Sequence, residues 1–219
     1  MTRRTGLRLD PFLSSYVATI REVLEPLRDR DVLDVSAGSG WVGQFDFRNY
    51  TPVDIVDPDA YWDLDTPLPD DHVAGYDLVV NLGSLHYTRD PVRSLEQMLR
   101  ALRPGGDLVI MVPWMFPPHD RRADRWRIAP VKLWEMLDPG FVTVDLFLVG
   151  NAFQLPLHVG KRLLAGPFVG VTQAELAATS RRHAAPRVSV TDADGVPARW
   201  TGPVNVVAHA TGFTFGGGT

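Results

Sequence analysis

One run constrains this chain more than any other: VLDVSAGSGWVG, Val32 to Gly43. Its mostly apolar start predicts a strand buried on both faces of a sheet. Gly38, Gly40 and Gly43 then predict a tight turn at the strand's carboxyl end. Residues without a Cβ admit positive φ and let backbone N–H groups come close to a ligand. In an open parallel sheet, ligands bind at that edge, where the strand order reverses. A chain with this run needs more parallel strands and helices for both faces.

The remaining pattern supplies them. Residues 10–29 read as a helix capped by Asp10 and opened by Pro11, with Phe12, Leu13, Tyr16, Val17, Ile20, Val23, Leu24 and Leu27 at helical spacing. Strands are expected at Val32–Val35, Val53–Val56, Tyr76–Gly83 and Asp107–Val112. Between the last two, Asp90 caps a helix opened by Pro91, with Val92, Leu95, Met98, Leu99 and Leu102 facing inward and Pro104-Gly105-Gly106 breaking it. A shorter helix is expected from Pro130 to Pro139-Gly140, and late strands at Val142–Val149 and Val204–Ala210. Strand, helix, strand with near-continuous apolar strands predicts an α/β fold around a parallel sheet. Residues 151–203 carry Pro, Gly and Arg without clear periodicity, so they are expected to be an insertion or substrate cap within a single domain spanning 1–219.

Composition narrows the function. At 219 residues the chain can bury a sizeable core. Its net charge is -4, with no run of Lys and Arg to bind nucleic acid. No long apolar stretch suggests a signal peptide or a membrane span. The absence of cysteine excludes disulfides, a thiol nucleophile and thiolate metal sites. A cytoplasmic protein acting on a small molecule is expected, with its oligomeric state open.

The turn fits two nucleotides. Gly38-Ser39-Gly40-Trp41-Val42-Gly43 matches the dinucleotide pattern G-x-G-x-x-G, which supports an NAD(P)-dependent oxidoreductase. Asp34 through Gly40 nearly matches an S-adenosylmethionine (SAM) pattern, an acid followed by G-x-G-x-G. Asp34 favours SAM, because a carboxylate there orients the amino end of a methionine, directly or through water. The following QFDFRNY is short and poorly amphipathic, whereas a pyrophosphate needs a firm helix N-terminus. An acid after the second strand, Asp54 or Asp57, is placed to accept from both ribose hydroxyls.

From about residue 30 to 150 the chain resembles the class I SAM-dependent methyltransferases, in particular the small-molecule type called methyltransferase type 11. VLDVSAGSG resembles that family's first motif, and YTPVDI its second strand with the ribose acid falling on Asp54. DLDTPLP and YDLVVNLGSLHYTRDP resemble its adenine-side acid and fourth strand; LRALRPGGDLVIMVP resembles its final helix and fifth strand. PPHDRRADRWRIAP is more loosely similar to a His…Asp-x-Trp-Arg segment of a subgroup associated with sugar and surface-glycan genes. The resemblance implies a Rossmann-like three-layer sandwich with a seven-stranded, mostly parallel sheet and an antiparallel last strand. It implies SAM as cofactor, held by Asp34, Ser36, Gly38, Gly40, Asp54, Asp63, Leu64 and Asn81. Asp65 rivals Asp63 at the adenine, and turn capping is the alternative role for Asp63. Ser36 stands where the family has its first glycine, and the crossover after Gly43 is shorter than usual.

A SAM methyl is already activated, so the protein mainly aligns and desolvates the acceptor. A hydroxyl acceptor also needs a base. His119 is the first candidate, with Asp120 or Asp124 to fix its tautomer, and His86 the second. His209, alternating with apolar residues in the last strand, is expected to be structural. Trp41, Tyr87 and Trp114 are aromatic faces for a sulfonium, with core packing as the alternative. Arg127 either binds an anionic group of the substrate or pairs with Asp124. No third ligand stands near His119-Asp120 at metal-site spacing, and no G-x-S-x-G elbow is present. The expected reaction is methyl transfer to a hydroxyl of a sugar or natural product. Besides the oxidoreductase, the alternative is a methyltransferase-like fold repurposed for a non-methylating reaction such as cyclisation.

Overall fold

The computed structural model describes residues 11–35, 37–57, 60–116, 123–150, 156, 187–189 and 205–214. Helix α1 (Pro11–Leu24) precedes strands β1 (Asp31–Asp34) and β2 (Asn49–Pro52). Next come β3 (Tyr76–Leu82), α2 (Pro91–Ala101) and β4 (Leu102–Pro113). The chain continues with α3 (Pro130–Leu137), β5 (Phe141–Val149), β6 (Arg187–Ser189) and β7 (Asn205–Phe213). All seven strands join one sheet in the order β2-β1-β3-β4-β7-β5-β6. Six have four or more residues, and β6 has three. Neighbours from β2 to β4 are parallel. β7 runs antiparallel between β4 and β5, and β6 lies antiparallel along the outer edge of β5. This is the expected mostly parallel α/β sheet with its antiparallel last strand.

Alternation along the strands splits the core in two. Leu33, Val79, Leu108 and Ile110 share one cluster with Leu95 and Met98 of α2 and Leu133 and Leu137 of α3. Val32, Leu78, Val80 and Val109 share the other with Val17, Ile20 and Leu24 of α1. Helices therefore cover both faces and make three layers, which is why the strands read as near-continuous apolar runs. Each fully buried leucine contributes about 1.5–3 kcal/mol through the area it removes from water.

Several elements differ from expectation for local reasons. The α1 helix stops at Leu24, and a 3-10 turn, Glu25–Leu27, replaces its last stretch. Pro26 lacks an N–H and its ring clashes with the carbonyl four residues back. The capping role of Asp10 lies outside the described residues. In α2, Asp90 Oδ1 accepts from the N–H of Val92 and of Arg93, each at 3.1 Å, so the cap is as expected. Val92 instead points outward, 49% exposed; Pro91, Ser94, Leu95, Met98 and Ala101 are the buried positions. Pro104-Gly105-Gly106 do not end α2, which is already over at Ala101; they form the irregular start of β4, where its register with β3 shifts.

The second strand occupies Asn49–Pro52, not Val53–Val56. Val53 still donates to Asp34 O at 2.8 Å. Asp54 Oδ1 then accepts from Val56 N at 3.0 Å, and this local bond turns the chain out of the sheet. β2 is an edge strand. With Val53 N–H pointing inward, Pro52 takes an outward position and offers no N–H to a passing strand. Among the described residues, no helix is long and apolar enough to cross a membrane.

Candidate functional site

β1 lies between β2 and β3, so the strand order reverses there. A crevice is expected beyond the carboxyl ends at such a point. A cleft of about 590 Å³ opens at that place. Val35 and Gly38 line it after β1, Asp54 to Val56 after β2, and Leu82, Gly83, Ser84, Tyr87 and Thr88 after β3. Trp62 to Asp65 and Ala123 complete the wall.

The tightest feature is the approach of Asp54 to Gly38. A Cβ at Gly38 would stand 2.9 Å from Asp54 Oδ2. Asp54 Oδ1 is held by the Val56 N–H, so the carboxylate is fixed against the turn that follows β1. Only glycine leaves it that room. Asp57 does not line the cleft, and Asp54 does. Gly40 has φ 64°, the left-handed region that a turn uses glycine for.

Asp63, Leu64 and Asp65 face the cleft together. Asp63 Oδ1 accepts from the Asp65 N–H at 2.9 Å, so its carboxylate also caps its own turn. Asp65 Oδ1 accepts from the Arg89 N–H at 2.7 Å and ties this wall to the loop after β3. Beside them Trp62 is 3% exposed, and among the described residues its Nε1–H is a buried donor without an acceptor.

Asp34 has a different partner. By alternation it faces the α1 side of the sheet, is fully buried, and accepts from Tyr50 OH at 2.7 Å. It is not among the cleft residues. Asn81 is also turned inward. Its Nδ2 donates to Ser84 Oγ at 2.8 Å and Met98 Sδ at 3.4 Å, while its Oδ1 accepts from the N–H of Ser84 and Leu85. Asn81 thus shapes the turn after β3 from behind.

Of the two base candidates, His86 is 3% exposed, with its ring 3.9 Å from that of Tyr87, and it does not line the cleft. His119 and Ser36 lie outside the described residues. Tyr87 lines the cleft, whereas Trp114 is half-buried against the core cluster of α2 and α3. Trp41 is buried in the other cluster. Arg127 makes a two-pronged pair with the buried carboxylate of Asp124, and its Nε donates to Phe116 O at 2.8 Å. It borders a separate groove with Trp126 and Lys132. The cleft thus gathers Gly38, Asp54, Asp63, Leu64 and Tyr87 from the expected set. Trp62, Ser84 and Thr88 join them with no sequence signal beyond their nearness to Asp63 and to the loop after β3. Among the described residues no group of three or more His, Asp or Glu is placed to hold a metal.

A family profile described as a methyltransferase domain matches residues 9–138. No curated protein sequence matches the chain. The fold is similar to that of a SAM-dependent methyltransferase of Thermotoga maritima, a possible histamine N-methyltransferase, with a TM-score of 0.54, 13% identity and 92% of each chain covered. It is similar to the 1,6-didemethyltoxoflavin-N1-methyltransferase of Burkholderia thailandensis, solved with 1,6-didemethyltoxoflavin and S-adenosylhomocysteine, at 22% identity over 66% of this chain and 74% of that one, TM-score 0.51. It is also similar to the 4+2 cyclase SpnF, at 18% identity over 91% of this chain and 80% of that one, TM-score 0.51. At these identities the likeness concerns the fold.

Proposed function

We propose that this chain, which belongs to the class I SAM-dependent methyltransferase family, transfers a methyl group from SAM to a small-molecule acceptor, at a hydroxyl of a sugar or natural product. The observation that carries this reading is the Asp54 carboxylate fixed against Gly38 at the head of the cleft. A ribose presents two neighbouring hydroxyl donors, and a carboxylate is an acceptor for both. The cleft volume also falls within the roughly 300–1,000 Å³ of small-molecule sites. The residues present therefore fit the nucleoside end of SAM.

Bound SAM supplies a methyl on a positively charged sulfur, ready for in-line attack. Asp54 is assigned to the ribose hydroxyls. Val35 and Leu64 line the cleft with apolar surface. The Tyr87 ring offers a negative face to a cation. We assign the acceptor proton to His119 and the acceptor's cover to residues 151–203. The acceptor class is supported by the Burkholderia thailandensis enzyme, which is similar in fold and was solved with a small heterocycle.

Calorimetric titration with S-adenosylhomocysteine and, separately, with NADH tests the cofactor. Binding of the first and not the second is expected; the reverse overturns the reading. With SAM and candidate acceptors, a product heavier by one methyl is expected by mass spectrometry.

A second reading is cyclisation on a retained SAM site. It is favoured by the β1–β2 crossover, which among the described residues holds only the 3-10 turns Ala37–Ser39 and Val42–Phe45. The likeness in fold to a cyclase adds to it. A product of unchanged mass selects this reading.

A further inference from the structure

We propose that the segment Asp124–Arg127 is a latch that holds the Leu85–Thr88 wall of the cleft in place, with Arg125 and Trp126 as positioning residues. The proposal deepens, and rests on, the reading of that cleft as a SAM-dependent site.

Three consecutive carbonyls of the wall are each taken by the segment. His86 O accepts from the N–H of Arg125 at 3.0 Å and of Trp126 at 3.1 Å. Tyr87 O accepts from Arg125 Nε at 3.2 Å, and Thr88 O from Trp126 Nε1 at 2.8 Å. The wall is held from behind, where Leu85 is fully buried and donates its N–H to Asn81 Oδ1 at 3.4 Å. It is a single 3-10 turn, Leu85–Tyr87, with local bonds from Tyr87 N to Ser84 O and from Thr88 N to Leu85 O. Turns of that length are weak on their own.

The segment itself is anchored away from the cleft. Arg127 grips the buried Asp124 carboxylate with two nitrogens, and its Nε donates to Phe116 O just beyond β4. Charge and planar fork are thus spent on rigidity. Arg127 fixes the strap; Arg125 and Trp126 reach from it to the wall. Tyr87 and Thr88, whose carbonyls are held, both line the cleft, and so does Ala123 at the start of the strap. A wall held in its binding shape beforehand costs a ligand less ordering. Loosening it lowers apparent affinity by the fraction of molecules left in that shape.

Trp126→Phe keeps the ring and removes the single N–H to Thr88. Amide hydrogen exchange across residues 84–88 is expected to quicken about two- to tenfold, the range for one lost hydrogen bond, with exchange in β1 and β3 unchanged. Affinity for S-adenosylhomocysteine is expected to fall by about the same factor, and saturating ligand to restore slow exchange in the loop. A melting temperature that drops while both local exchange and affinity stay at wild-type values overturns the latch. If Trp126→Phe does not fold, Arg125→Gln, which loses the contact to Tyr87 O, is read by the same two measurements. If the wild-type chain does not bind S-adenosylhomocysteine at all, the methyltransferase reading fails, and the exchange measurement alone upholds or overturns the latch.

Discussion

Tyr50 donates its hydroxyl to Asp34 Oδ2 across 2.7 Å, and its ring lies where any side chain at position 43 would have to be. A Cβ on Gly43 would stand 2.9 Å from Tyr50 Cε1. The last glycine of the G-x-G-x-x-G pattern therefore makes room for a tyrosine of β2. It does not serve a helix beneath a pyrophosphate, because the crossover holds 3-10 turns there. Trp41, Phe45 and Phe47 fill the space on that side. Burial first, and the Asp34 charge second, raise the phenols of Tyr50 and Tyr16 above their ordinary 10.0.

Removing the Tyr50 hydroxyl takes a donor from a fully buried carboxylate. Tyr50→Phe is expected to cost about 1–3 kcal/mol in urea unfolding. Gly43→Ala is expected to be destabilising in the wild type and nearly neutral once Tyr50 is alanine, since the ring is then gone. Additive costs in that cycle would show that the ring is not what requires the glycine.

His209 makes stability depend on pH near neutrality. On β7 it pairs in register with Asp145 of β5, and its Nε2 lies 4.0 Å from Asp107 Oδ2 on β4, with Arg30 a further 3.8 Å from that oxygen. Burial lowers its pKa below the ordinary 6.5, outweighing the two carboxylates that raise it. The unfolded chain thus takes up its proton first as pH falls. This contribution is complete above about pH 6.5 and is lost as pH drops from there through the folded-state value. Urea midpoints measured between about pH 7.5 and 5.5 should fall in the wild type and fall less in His209→Gln. Equal slopes would remove His209 from the account.

A second acid-sensitive group lies at the amino-terminal ends of β1 and β3. Asp31 accepts from Arg48 Nε at 2.8 Å, Asn49 Nδ2 at 2.6 Å and Arg103 Nη1 at 3.0 Å. These bonds, Arg48 first, hold its carboxyl well below the usual carboxylate range. Asp77 is held low as well: burial raises its carboxyl, but the bonds from Arg103 and from the Asp31 N–H, with the Arg103 charge, together outweigh it. The stabilisation is present above about pH 4 and is lost as pH falls through the depressed values. Arg103→Met should move the acid-unfolding midpoint upward and leave stability near pH 7 less sensitive to added salt. An unchanged acid limb would mean the cluster is too solvated to matter.

Much of the fold was legible because its signals are local. Asp90-Pro91 announces α2 through a cap and a fixed φ, and Val142–Val149 announces β5 through its apolar run. β2 was not legible, since its register comes from a neighbour. Asn49 to Pro52 pair with β1 at a half-solvated edge, whereas Ile55 and Val56, which look like strand, are 62% and 77% exposed at the cleft rim. The same split runs through the site. Asp54 follows from its place after a strand. The grip of Arg125 and Trp126 on the carbonyls of Tyr87 and Thr88 does not, because a backbone acceptor 38 residues away leaves no mark in the sequence. The bond from Tyr50 to Asp34 is hidden for the same reason: the tyrosine arrives from another strand.

Gly38 separates the reading of the cleft from the stability of the chain. The residue is exposed and its φ is ordinary, so alanine there meets no backbone strain. The added Cβ instead meets Asp54 Oδ2 at 2.9 Å and must push the carboxylate off the turn. Gly38→Ala is therefore expected to change unfolding free energy by less than about 1 kcal/mol, as exposed sites do. Affinity for S-adenosylhomocysteine is expected to fall at least about tenfold, the loss typical of a displaced charge-assisted acceptor. Asp54→Asn should fall by a similar factor in the same calorimetric titration, and the double variant little further, because both changes remove one contact. If Gly38→Ala binds as tightly as the wild type while Asp54→Asn does not, the carboxylate reaches its ligand from a different direction than the turn dictates.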